Sequence, residues 1–151
     1  MGEINLPSIP YKNALEAYLK SLFDKLSPSF VVLYGSAARG EFGIGSDIDI
    51  LVVAEGFPAK LDDRLQLLFN INPTTAPLEP IGYTPKEFEE LLRKRHATAL
   101  YAMEEGILLY DDGTYLKMKK MYEKLKTDLK IVKGRAGWYA EKILRECLSQ
   151  L

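Results

Sequence analysis

Two apolar, β-branched runs frame one short stretch of this chain, and that stretch limits what the chain can fold into. The first run is Phe30-Val31-Val32-Leu33-Tyr34; the second follows Asp47 and continues through Ile50-Leu51-Val52-Val53 to Ala54. Both read as strands, the first as a buried one. Between them Gly35-Ser36 predicts a tight turn, Ala37-Ala38-Arg39 a short helical turn, and Phe42-Gly43-Ile44-Gly45 a flexible loop. Glycine at such points tolerates backbone angles that other residues avoid.

Two chemical devices lie in this stretch. A Gly-Ser turn at a helix start offers free backbone N–H groups and the positive end of a helix dipole, which attract phosphate. Gly35 lets the backbone approach closely and Ser36 adds a hydroxyl donor. Asp47 and Asp49 are two apart on a strand, so both carboxylates face one way, about 6.6 Å apart along it. Ile48 and Ile50 then point into the core. Paired carboxylates on a rigid face can hold hard divalent cations, which prefer oxygen ligands beside substrate phosphates. A solvated strand face is the simpler alternative for the aspartates, and a helix cap for Ser36. Aspartate is disfavoured in strands, however, so two at the head of an apolar strand need a reason.

Gly35-Ser36, ten residues, then Asp47-Ile48-Asp49 resembles the signature of the DNA polymerase beta-type nucleotidyltransferase superfamily. Arg39-Gly40 and Ser46 also fit its small stand-alone members, the minimal nucleotidyltransferases. The resemblance implies an α/β (α+β) nucleotidyltransferase fold, a small mixed sheet flanked by helices. It implies transfer of an NMP, AMP from ATP or another nucleoside triphosphate, onto a hydroxyl with release of pyrophosphate. Gly35, Ser36, Arg39 and Ser46 would bind nucleotide. Asp47 and Asp49 would hold two magnesium ions. The superfamily's third acidic residue falls four residues before a Tyr-Thr-Pro-like strand end, here Glu79 ahead of Tyr83-Thr84-Pro85. The usual residue is aspartate, so the sequence departs from the pattern there. Glutamate, one methylene longer, can serve as ligand or proton acceptor. Arg39 can contact triphosphate or pair with Glu41 or Asp47.

Members of this kind are paired with helical HEPN-domain proteins as toxin–antitoxin systems, in which AMP is added to a tyrosine of the toxin. The resemblance therefore implies a HEPN-type partner. The chain lacks that partner's own pattern, because no arginine lies four to six positions before His96. The alternative function is a catalytically weak nucleotide- and metal-binding module that acts as an antitoxin by protein contact.

The remaining sequence reads as scaffold. Residues 1 to 10 predict an extended arm. Ala14, Leu15, Tyr18, Leu19, Leu22, Phe23 and Leu26 recur at helical spacing, so Tyr11 to Leu26 predicts an amphipathic helix. Leu61 to Ile71 predicts a second helix with Leu61, Leu65, Leu68 and Phe69 on its apolar side. Ala76 to Tyr83 predicts a strand. Pro77 and Pro80, lacking the N–H, place that strand at a sheet edge. Thr84-Pro85-Lys86-Glu87 predicts a capping box, with Phe88, Leu91 and Leu92 inward, a break near His96, and a stop at Gly106. Ile107 to Tyr110 predicts a short strand. A long helix is predicted from about Thr114 to Val132, with Met118, Met121, Tyr122, Leu125 and Leu129 as its stripe. A terminal helix is predicted from Trp138 through Leu148. Strands separated by helices indicate one α/β layer structure, so residues 1–151 form a single domain with C-terminal helices from about 114.

Composition excludes several classes. Hydrophobic content of 47% supports a packed core rather than a disordered chain. No apolar run approaches the roughly 20 residues of a membrane span, and the first residues do not resemble a signal peptide. The single Cys147 forms no internal disulfide, so a reducing, cytoplasmic location is expected. A net charge of -1 excludes general nucleic-acid binding, although Lys117, Lys119, Lys120, Lys124, Lys126, Lys130, Lys133 and Arg135 crowd one segment. That segment is either a solvated helix face or a surface for an acidic partner or RNA.

Overall fold

The computed structural model describes residues 11–40, 47–129, 131–134 and 137–140. The chain runs α1 (Lys12–Lys25), β1 (Pro28–Tyr34), β2 (Ile48–Ala54), α2 (Leu61–Asn70), β3 (Leu78–Tyr83), α3 (Pro85–Arg93), α4 (Ala97–Glu105), β4 (Ile107–Asp111) and α5 (Thr114–Leu129). Two further strands follow, β5 (Ile131–Gly134) and β6 (Gly137–Ala140). The main sheet has the order β3-β2-β1-β4. β1 pairs antiparallel with both β2 and β4, and β2 pairs parallel with β3 across the α2 crossover. The sheet is therefore mixed, as expected. β3 lies at its edge, where Pro80 withholds no ladder donor that a second neighbour would need.

Both faces of the sheet are covered, which explains why β1 and β2 read as unbroken apolar runs rather than alternating ones. Val31, Leu33, Ile48, Ile50 and Val52 face Leu15, Leu19 and Leu22 of α1 and Leu68 of α2. Tyr18 belongs to that layer, and its hydroxyl donates to the Leu68 carbonyl at 2.9 Å. On the other face Phe30, Val32, Leu51 and Val53 meet Phe88 and Leu92 of α3, Leu100 and Met103 of α4, and Met118 and Tyr122 of α5. Thr84 caps α3 with the expected reciprocal box to Glu87. The chain breaks at His96, with Arg95 in a left-handed conformation.

Two expectations are corrected. The apolar side assigned to α2 is not its buried side: Leu61, Leu65 and Phe69 are 58%, 43% and 64% exposed, whereas Leu68 and Arg64 are buried. Arg64 turns inward because distant groups satisfy its guanidinium. It donates to the Pro58 carbonyl at 2.6 Å and the Gly82 carbonyl at 3.4 Å, and forks onto Glu87 at 2.6 and 3.1 Å. The helices predicted up to Val132 and from Trp138 are also overturned where they face each other, because Trp138, Tyr139 and Ala140 pair antiparallel with Lys133, Val132 and Ile131, and α5 ends at Leu129. β-Branched and aromatic side chains suit a pleated pair better than a helix. The rest of that helix, with Ile143, Cys147 and Leu148, lies outside the described residues, as do the arm at 1–10, the loop at Phe42–Gly45, and Glu41 and Ser46.

Candidate active site

One end of the sheet gathers the residues singled out in the sequence. β1 finishes at Tyr34, and the chain turns at Gly35 with φ +75°. Residues 35–40 continue as turns: the Arg39 N–H donates to the Gly35 carbonyl at 3.2 Å and the Gly40 N–H to the Ala37 carbonyl at 3.3 Å. This is a single helical turn. Any anion attraction there comes from local N–H groups, since one turn builds little macrodipole. Gly35 answers a second constraint. A Cβ at this position would stand 2.4 Å from Oδ2 of Asp49, so the turn and the carboxylate share space that only glycine leaves open.

The register across three strands aligns the acidic groups. Tyr34 of β1 lies opposite Asp49 of β2, and Asp49 lies opposite Glu79 of β3. Directly paired residues project to the same face, here the face that α3, α4 and α5 cover further along. Asp47 precedes β2 by one residue and is exposed; Asp49 is half-buried; Glu79 is exposed. Burial, then the like charge of Asp47, raises the Asp49 pKa, and Arg39 partly opposes the rise. The Glu79 pKa is raised first by a side-chain hydrogen bond with Asp47, then by burial, then by repulsion from Asp47 and Asp49. Asp47 thus acts on both Asp49 and Glu79, and the three carboxylates form one acidic cluster.

Two neighbours were not foreseen in these roles. Tyr34, expected in the core, is half-buried beside the carboxylates. Its phenol is held protonated by burial, then by the charges of Asp49, Tyr83 and Glu79. Arg39 pairs at 3.3 Å with Glu105, the last residue of α4. Neither neighbour has a local signal, because Tyr34 lies opposite Asp49 only through strand pairing and Glu105 is far along the chain. The lysine-rich segment lies elsewhere. Lys119 and Lys126 of α5 are tied to α4, the first on the Met103 carbonyl and the second on Glu104. His96 stands at the head of α4 without a side-chain cap bond.

The donor set bears on which metal the site fits. Among the described residues, no group of three or more His, Cys, Asp or Glu side chains is arranged to enclose a metal ion. All the candidate ligands are carboxylates, and Asp47 and Asp49 both repel the Glu79 charge. Carboxylates suit a hard cation such as Mg2+, which keeps several waters and takes one or two protein carboxylates plus substrate phosphates. The residues fit a site completed by a nucleotide rather than a closed protein cage.

A model of the nucleotidyltransferase domain family matches residues 13–132. The chain belongs to this family. The match spans the main sheet, the Gly35-Ser36 turn and all three carboxylates, and agrees with the family resemblance read from Gly35-Ser36 and Asp47-Ile48-Asp49. Among solved structures, a candidate nucleotidyltransferase from Sulfolobus solfataricus is 19% identical with a TM-score of 0.49, covering 66% of this chain and 79% of that one. A toxin–antitoxin with AMP-PNP is 20% identical with a TM-score of 0.48, covering 78% and 91%. A tri-AMPylated Shewanella oneidensis HEPN toxin in complex with MNT antitoxin is 17% identical with a TM-score of 0.46, covering 79% and 92%. Likeness at this level adds nothing about activity to the family match. No curated protein matches this chain. Among the described residues of the nucleotidyltransferase domain, no helix is long and apolar enough to cross a membrane.

Proposed function

We propose that this nucleotidyltransferase moves an NMP, AMP from ATP foremost, onto a protein hydroxyl, and that the acceptor is a tyrosine of a HEPN-type partner. The observation that carries the transfer reading is the alignment of Asp49 with Glu79 on adjacent strands, beside Asp47 and next to the Gly35-Ser36 turn. The acceptor and partner rest on the resemblance to minimal nucleotidyltransferases. A cytoplasmic setting belongs to the same reading.

In this reading the turn N–H groups and the Ser36 hydroxyl bind the departing phosphates, and Arg39 adds positive charge near Asp49. Ser46 extends the nucleotide contact. Asp47, Asp49 and Glu79 would hold two Mg2+ ions, which when bound supply charge neutralisation and acidify the acceptor hydroxyl. Glu79 serves as metal ligand or receives the acceptor's proton. Tyr34, kept neutral, lies opposite Asp49 across the β1–β2 pair. Positioning and compensating charge are the main requirements of in-line attack on phosphorus.

One observation favours a second reading. Glu79 stands where the superfamily usually has aspartate, which suits a module that binds nucleotide weakly and acts by protein contact. Incubation with α-labelled ATP and Mg2+, with and without a HEPN-domain protein encoded beside this chain, separates the two. Label on the partner that is lost in Asp49→Asn supports transfer. Tight complex formation with no label in any condition refutes it.

A further inference from the structure

Arg39 is the one basic side chain of the turn at residues 35–40, and it is held from outside that turn. Its Nη1 lies 3.3 Å from Oε2 of Glu105, 66 residues further along the chain. The turn itself is a slight base: its backbone bonds are 3.2 and 3.3 Å, and Arg39 is exposed although Ala37 beneath it is buried. A long side chain on such a base keeps its rotamer freedom unless something fixes its tip.

Glu105 stands on firmer ground. It closes α4, whose Leu100, Ala102 and Met103 are buried. The next residue, Gly106, packs so closely that a Cβ there would collide with the Ala102 carbonyl oxygen and with Cγ1 of Val32. Val32 belongs to β1, the strand that runs into the Gly35-Ser36 turn, and Ile107 pairs with Leu33 of the same strand. The end of α4 is thereby fixed against the strand that carries the turn.

Two adjacent carboxylates at that end divide between two neighbours. Successive residues of a helix point about 100° apart. Glu104 turns to α5, where it accepts from the Tyr122 hydroxyl and from Lys126. Glu105 turns to Arg39. α4 has no basic residue in its own last turn, and the negative end of a helix favours a cation, which Arg39 brings from outside. The Arg39 charge also reaches the acidic cluster, since it opposes the rise in the Asp49 pKa. The guanidinium is therefore within electrostatic reach of a fixed carboxylate on α4 and of the head of β2.

We infer that Glu105 is a positioning residue, which holds the Arg39 guanidinium ready for the triphosphate before nucleotide arrives; the inference rests on the nucleotidyl-transfer reading above. Glu105 acts only through Arg39 and touches neither nucleotide nor metal. A side chain that is already ordered does not lose its freedom at the moment of binding, so the nucleotide binds more tightly. An opposing effect exists, because Glu105 repels phosphate and competes for the cation. Mg2+ carried with the nucleotide cancels much of that repulsion, and solvent around the 37%-exposed Arg39 screens the rest. Pre-ordering therefore outweighs competition.

The test uses the full chain with Glu105→Ala, Glu105→Gln, Arg39→Ala and the double variant Arg39→Ala/Glu105→Ala. Without nucleotide, NMR relaxation of the Arg39 Nε–H in ¹⁵N-labelled wild type should show restricted motion, and Glu105→Ala should release it. With a non-hydrolysable ATP analogue and Mg2+, Glu105→Ala should weaken binding about fivefold, as expected for ordering one long side chain on binding. Glu105→Gln should recover most of that loss, because its amide oxygen still accepts from a guanidinium. In the Arg39→Ala background, Glu105→Ala should cost nothing more, which separates positioning from a general effect on the fold. Arg39 already mobile in the wild type, unchanged or tighter analogue binding in Glu105→Ala, or an equal further loss in the Arg39→Ala background overturns the inference. An ordered Arg39 in a wild-type chain that binds no nucleotide refutes the transfer reading instead, since the motion is read without nucleotide.

Discussion

Alanine at Gly35 tests the site more sharply than removal of any carboxylate, because the fold supplies its own control. Gly35 and Gly40 share a φ of +75°, so alanine at either meets the same kind of left-handed strain. That strain is about 1–2 kcal/mol, reduced by the smaller entropy of the unfolded alanine chain. A net loss of about 1 kcal/mol lowers Tm by roughly 2–4 °C in a chain of this size. At Gly40 nothing among the described residues lies within 4 Å of the added methyl, so no contact cost is added to the strain. At Gly35 the methyl falls 2.4 Å from Asp49 Oδ2, and ordinary contact begins near 3.4 Å. The carboxylate must therefore retreat by roughly 1 Å, a displacement that can cost about a hundredfold in rate when a catalytic group is misplaced. Gly40→Ala should lose a few degrees and keep its activity. Gly35→Ala should lose as much stability or slightly more, and about two orders of magnitude in transfer rate. Differential scanning fluorimetry beside label transfer to the partner reads both quantities. Equal transfer rates in the two variants would refute the placement of Asp49 at the reacting centre.

Asp47→Asn and Asp49→Asn should each abolish transfer without lowering the Tm of the metal-free protein, since each removes a repelling charge; a fall in Tm of more than a few degrees would mark the pair as structural instead. The raised pKa values of Asp49 and Glu79 give a signed pH effect. Their contribution to stability is complete below their ordinary values, 3.8 and 4.5, and is lost as pH rises through the raised native values. Glu79→Gln should accordingly flatten the decline in metal-free Tm above about pH 4, and Mg2+ with nucleotide should offset that decline in the wild type. Glu87 behaves oppositely: the Arg64 hydrogen bond, outweighing burial, lowers its pKa, so its contribution holds above 4.5 and fades as acid is added. Arg64→Met should cost about 3 kcal/mol, or roughly 6–12 °C in Tm; this lies at the low end for a broken buried pair because Glu87 is 38% exposed. A loss under 1 kcal/mol in chemical denaturation would show that the buried guanidinium is not what joins α2 to α3.

The parts of this protein that depend on neighbours in sequence were open to reading from the sequence. Gly35-Ser36, the ten-residue spacing and the Asp47–Asp49 alternation are local, and so is the capping box at Thr84 and Glu87, since backbone geometry alone relates such residues. The edge position of β3 followed from its prolines, because a missing N–H is a property of the residue itself. The tertiary structure decided what depends on pairing between distant segments. Parallel register set Glu79 opposite Asp49, and antiparallel register set Tyr34 opposite Asp49, though no spacing in the chain relates Tyr34 to Glu79. Arg64 displaced Leu61 and Leu65 from the interior because Glu87 and the Pro58 and Gly82 carbonyls satisfy its charge, and hydrophobic periodicity carries no record of such partners. The strand at Trp138–Tyr139 follows the same rule: its aromatics suit helix or strand, and pairing with Ile131–Gly134 decided between them.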